Sequence, residues 1–178
     1  GAGMLQALGA TFYDDEAQIV DMRKGADLIK YIRRIDLSGV HPQLTKVNIQ
    51  LMSDFSSRLY GKKSEIMQTY ESLDLSQNEA AEIDNLIWYF SELFKNELKI
   101  AMGPIERGGA GSGIAAVLNS LYQAEILTSH ELVNQITHLE NLIQQADLII
   151  FGEGLKEEDQ ILETTTIRIA EDRKSTRL

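Results

Sequence analysis

Residues 107–113, Arg-Gly-Gly-Ala-Gly-Ser-Gly, are where this sequence most plainly offers a surface for chemistry. Gly108, Gly109, Gly111 and Gly113 open backbone conformations closed to other residues and leave almost no side chains to hold a ligand off. Ile114, Val117, Leu118 and Leu121 follow at i, i+3, i+4 and i+7, one apolar helical stripe. A glycine loop that runs into a helix presents unpaired backbone N–H groups at the positive end of the helix dipole, a ready place for an anion. Arg107 stands directly before the loop and could clamp a phosphate or a carboxylate. The candidate binding residues here are Arg107, Gly108, Gly109, Gly111, Ser112 and Gly113. The same pattern also suits a purely structural role, in which small residues let the helix pack closely and Arg107 is a surface charge.

A second candidate is Gly152-Glu153-Gly154. It follows Leu148-Ile149-Ile150-Phe151, an apolar run that reads as a buried strand. In open α/β sheets, ligands lie beyond the carboxyl ends of strands, which makes a Gly-Glu-Gly at that position a candidate for phosphate or substrate binding. The structural alternative is a tight turn with one exposed acid. Other chemistries find no footing. His41, His130 and His138 have no metal-ligand spacing, and no metal site is expected. There is no Gly-x-Ser-x-Gly elbow and no Gly-x-x-x-x-Gly-Lys-Ser/Thr loop. Asp14-Asp15-Glu16 reads as a solvated acidic turn.

The elements that must position these loops follow from periodicity. A short helix over residues 1–9 uses Met4, Leu5 and Leu8 and stops at Gly9. Residues 10–13 and 18–22 read as strands, 25–35 as a helix, 47–52 as a strand and 61–73 as a short helix. Ser76-Gln-Asn-Glu79 is a capping box that opens the clearest helix, with Ile83, Leu86, Ile87, Phe90, Leu93 and Phe94 on one face and Trp88 off it. A strand is expected at 99–102 before the Gly103-Pro104 turn, and a short strand or a linker at 124–127. Thr128-Ser-His-Glu131 is a second capping box, and Leu132, Ile136, Leu139 and Ile143 line one helix after it. Alternating strands and helices predict an α/β fold, a mixed sheet flanked by helices.

The 178 residues suffice for one good core, and 43% hydrophobic with 25% charged residues is an ordinary globular balance. The net charge of −10 argues against nucleic acid or an anionic membrane as partner, while a local loop can still hold a small anion. Without cysteine there is no disulfide, thiolate metal site or Cys nucleophile, which fits a reducing compartment. No apolar run approaches the roughly 20 residues that span a bilayer, and no signal peptide is visible, so a cytoplasmic location is expected. The chain opens Gly1-Ala2-Gly3 without Met, as if it began inside a larger protein.

Three ordered blocks resemble the bacterial glycerate kinase family of two α/β lobes. Gly1-Ala-Gly-Met-Leu-Gln-Ala-Leu-Gly9 is similar to the end of that family's Asp-Gly-Gly-Ala-Gly-Met-Leu-x-Ala-Leu-Gly block. Gly111-Ser-Gly-Ile-Ala-Ala-Val-Leu118 resembles its Ala-Gly-Gly-Leu-Gly-Ala-Ala-Leu, and Ala146-Asp-Leu-Ile-Ile-Phe-Gly-Glu-Gly154 its Ala-Asp-Leu-Val-Ile-Thr-Gly-Glu-Gly. The resemblance implies ATP-dependent phosphorylation of glycerate, with Mg2+ carrying the phosphates. It implies a fragment: residues 1–146 as the inserted lobe and 147–178 as the start of a second-lobe strand and a charged tail. The remainder of the parent chain and a second copy are then further expected partners. Several charged family positions differ. Gln50 and Ser53 stand where Asp and Asn are expected, Gln68-Thr-Tyr-Glu-Ser-Leu73 replaces Phe-Gly-Pro-Gln-Lys-Gly, and Leu155 replaces an arginine. Two function classes follow: a glycerate kinase, or a catalytically diverged paralogue that binds a small organic acid or a protein partner.

Overall fold

The computed structural model describes residues 1–150, in two compact units. The first comprises Gly1–Ile49 with Ser56–Glu125, and the second Gln50–Phe55 with the chain from Ile126 onward. The fold is α/β, and its strands form two separate two-stranded sheets.

The first unit begins with α1 (Ala2–Ala7), which ends where Gly9 takes φ +111°, the stop its sequence announces. Strand β1 (Thr11–Tyr13) pairs antiparallel with β2 (Arg34–Asp36), placing Phe12 opposite Ile35. Both of those side chains are buried, and the Arg34 guanidinium lies over the Tyr13 ring at 4.1 Å. The strand expected at 18–22 shrinks to one bridge, Tyr13 to Ile19. Asp21 ends it: its carboxylate accepts from the Arg23 N–H and turns the chain into a 3₁₀ turn at Met22–Lys24, the usual competition of a short polar side chain with the ladder. The helix expected at 25–35 is also corrected. Only Ala26–Tyr31 coils, as 3₁₀, because the Arg33 N–H donates to the Tyr13 carbonyl at 2.7 Å and draws the following residues into β2.

Short α2 (Glu65–Thr69) precedes α3 (Gln77–Leu98), the axis of this unit. The capping box forms as expected: Ser76 Oγ accepts from the Glu79 N–H while Glu79 accepts from the Ser76 N–H. Phe90 and Phe94 point inward with their centroids 4.9 Å apart, and Phe12 meets Phe90 edge-on at 5.9 Å. Leu5, Ile32, Met102 and Val117 complete the core. Trp88 stays half-exposed. No strand forms at 99–102, since Lys99 closes α3 in a left-handed turn and Gly103-Pro104 follows at once; Met102 instead enters the core.

The unit closes with α4 (Ala110–Tyr122), which bears the glycine bend. In the second unit, β3 (Gln50–Met52) lies beside β4 (Glu125–Leu127), and the Ser53 N–H donates to the Leu127 carbonyl at 2.8 Å. Thr128 and Glu131 form the second capping box, opening α5 (Ser129–Thr137). The single helix expected after it is broken at His138, φ +52°, and restarts as α6 (Leu139–Gln145), with Asn134 Oδ1 accepting from the Glu140 N–H. The buried strand expected from Leu148 is overturned over 148–150: no strand forms, and Leu148 and Ile150 are 74% and 87% exposed. A strand is held by a neighbour's ladder, and none of the described residues supplies one there. Phe151 lies outside the described residues.

Candidate functional site

The chain reaches the glycine bend through two tight turns, Ile105 N–H to the Met102 carbonyl and Gly108 N–H to the Ile105 carbonyl. Arg107 is left-handed, φ +54°, and its carbonyl accepts from the Ala110 N–H at 3.1 Å. Gly111, Ser112 and Gly113 then follow with φ of 61°, 51° and 89°, three left-handed residues in succession. For Ser112 that conformation costs on the order of 1–2 kcal/mol, which neighbouring contacts must offset. The bend rejoins α4 through Gly113 N–H to the Gly109 carbonyl and Ala116 N–H to the Gly108 carbonyl.

Its two sides differ. Gly108, Gly109 and Gly113 are buried, while Gly111 and Ser112 face solvent. Gly109 has an ordinary φ of −72°, yet a Cβ there would run into the Arg58 carbonyl and stand 2.6 Å from Ser57 Oγ. At Gly113 a Cβ would meet Leu59 Cδ1 at 2.8 Å. The close-packing reading of these glycines therefore holds on the inner side, against residues 57–59. On the outer side the amide expected to be unpaired is taken by a carboxylate. There the Ser112 N–H donates to a Glu65 carboxylate oxygen at 2.7 Å.

Glu65 is the first residue of α2, whose N-cap Ser64 accepts from the Met67 N–H. The segment before it is pinned by α3: both Asp84 carboxylate oxygens accept from the Gly61 N–H, at 3.0 and 2.8 Å. The Arg58 N–H donates to the Lys63 carbonyl at 2.8 Å, closing the loop beside Gly109. Sequence reasoning missed Glu65. It lies 47 residues from Ser112, and no spacing rule connects them; the only local signal is the Ser64-Glu65 helix start.

Arg107 is half-buried, with its Nε enclosed. Gly1 packs onto the same helix, its Cα so close that a Cβ would stand 2.6 Å from Val117 Cγ2 and 2.9 Å from the Gly113 carbonyl oxygen. The structure thus brings together the blocks at 1–9 and 111–118. Gly152, Glu153 and Gly154 lie outside the described residues. Among the described residues no group of three or more His, Asp or Glu side chains could hold a metal, and no helix is long and apolar enough to cross a membrane.

The model of the glycerate kinase family matches residues 1–177. The chain belongs to the glycerate kinase family. It is 29% identical to a glycerate kinase of Halalkalibacterium halodurans over 98% of this chain and 45% of that protein. It is also 29% identical to the glycerate 2-kinase of Escherichia coli, over 86% of this chain and 40% of that one. A crystal structure of an assigned glycerate kinase 2 from Salmonella typhimurium LT2 superposes with a TM-score of 0.79 at 26% identity, covering 99% of this chain and 47% of that one. The chain thus spans about half the length of the relatives it matches. Nothing in these likenesses supports the non-catalytic alternative.

Proposed function

We propose that this glycerate kinase family chain serves the ATP-dependent phosphorylation of glycerate, and that the bend at 107–113 holds an anionic group of the substrates. One observation carries the reading: the solvent-facing Ser112 amide, in a left-handed bend at the start of a helix, is bonded to a carboxylate. Glycerate carries a carboxylate of its own, and ATP carries phosphates. A backbone amide already held toward an anion binds such groups with little backbone movement, and the helix dipole adds to its pull. In the reaction, a glycerate hydroxyl oxygen bonds to the γ-phosphorus, the bond to the ADP oxygen breaks, and the hydroxyl proton is lost. Arg107, at the entrance of the bend, pairs with a carboxylate or phosphate in this reading, and Gly152-Glu153-Gly154 forms a second ligand-facing turn.

The described residues hold no cluster of three or more acidic or histidine side chains that would bind a magnesium ion on their own. Magnesium enters instead as the counterion that ATP brings, a common state for an ion that keeps much of its own water. The lobe boundary at 146/147 belongs to the same proposal.

The test is ADP release by the full-length gene product with D-glycerate and Mg-ATP. Turnover that requires D-glycerate is the expected result. Binding of D-glycerate without turnover would overturn the kinase reading. For the site, Arg107→Ala is expected to raise KM for glycerate or ATP about tenfold, the size of one lost charge-assisted bond. An unchanged KM for both removes Arg107 from the site.

A further inference from the structure

We propose that Glu65 is an internal anion that competes with the ligand for the Ser112 amide, so that the start of α2 sets the apparent affinity of the glycine bend. The inference rests on the anion-binding reading of that bend.

Three observations carry it. First, the Glu65 carboxylate sits 2.7 Å from the Ser112 nitrogen, a charge-assisted bond with the geometry a substrate carboxylate or phosphate would use. Second, Glu65 makes no ion pair among the described residues. Third, the exchange happens at the surface: Ser112 and Gly111 are exposed and Glu65 is half-buried. A carboxylate released there meets water at once and remains beside the amide end of its own helix, capped by Ser64.

The consequence is quantitative. A ligand that needs the Ser112 amide binds only the fraction of molecules in which Glu65 has let go, and its apparent Kd is the intrinsic value divided by that fraction. Anions that make a single contact are rejected, because they merely replace one carboxylate by another. A ligand with a carboxylate and adjacent hydroxyls, or a phosphate with several oxygens, gains bonds that Glu65 cannot make. Glu65 is therefore a specificity-determining residue for the anion.

Calorimetric titration of D-glycerate into the full chain and its Glu65→Ala and Glu65→Gln variants tests this, with glycerol as the uncharged control. The expected result is a Kd lowered about tenfold in Glu65→Ala, equivalent to about 1.4 kcal/mol, with Glu65→Gln between it and the parent. Glycerol should show no such gain. The direction decides the matter, since a carboxylate that merely braces the loop would weaken binding when removed. If the parent binds D-glycerate and both variants, melting within a few degrees of it, bind equally or more weakly, the competitor is overturned while the bend stands. If neither the parent nor either variant binds, both readings fall. Glu65→Gln keeps the size and a neutral acceptor, so it remains informative if the alanine variant does not fold.

Discussion

Helix α3 and the glycine bend lie in the same unit and are built on opposite logics. Helix α3 is specified from within: a capping box starts it, an apolar stripe orients it, and a left-handed Lys99 ends it. Its contribution comes from atoms that are present, above all the fully buried Phe94. The bend at 107–113 is specified from outside, by Ser57, Arg58 and Leu59 pressing on its inner side and Glu65 bonding its outer side. Its shape depends on atoms that are absent. One region should fail when carbon is removed, the other when carbon is added.

The largest expected effect tests the first half of that contrast. Phe94→Ala leaves a cavity against Phe90 and should lower stability by about 4 kcal/mol in denaturant unfolding. A loss under 1 kcal/mol would show that the core does not depend on this face. Next comes the addition of a single methyl. Gly109→Ala, at an ordinary φ, forces a Cβ into the Arg58 carbonyl and should cost about 3 kcal/mol. A neutral result would mean that the inner side of the bend has slack, and the contrast would collapse. Smaller still, Ser76→Ala removes the side-chain cap of α3 and should cost about 1 kcal/mol, readable as a modest fall in Tm.

The smallest effect is a pH dependence. Hydrogen bonds from the Ser76 side chain, then from its backbone, hold the Glu79 carboxyl below its usual pKa. A carboxylate favoured in the folded state stabilises above its unfolded pKa and loses that contribution as the pH falls through its folded value. The Tm difference between the parent and Glu79→Gln should therefore be present near neutrality and shrink only as the pH falls below the usual glutamate range. A difference that does not change with pH would mean that the charge of Glu79 plays no part in the cap.

The same contrast explains what could be read from residue order alone. Capping boxes at Ser76 and Thr128, the Gly9 stop, and strands at Thr11–Tyr13 and Glu125–Leu127 are local patterns, and they appear where the patterns place them. Residues 25–35 have helical spacing, but their fate is decided by a hydrogen bond from Arg33 to Tyr13, twenty positions away in the chain. His138 breaks a helix whose apolar spacing runs straight through it. In the candidate site, the glycines and Ser112 were visible because their types are unusual in a row. Glu65 was not, because a single glutamate near a short helix looks like any other until the fold sets it beside Ser112. Ser57 is equally silent, an ordinary serine whose burial follows from the absent Cβ at Gly109.

The clasp between Asp84 and Gly61 couples the two regions. Both oxygens of one carboxylate take the same amide hydrogen, so the loop carrying Lys62 and Lys63 is moored to the first half of α3. That amide, though it sits in a loop, should exchange with solvent at the pace of α3 rather than of its neighbours. The long helix would then act as a mast to which the segment leading into Glu65 is tied.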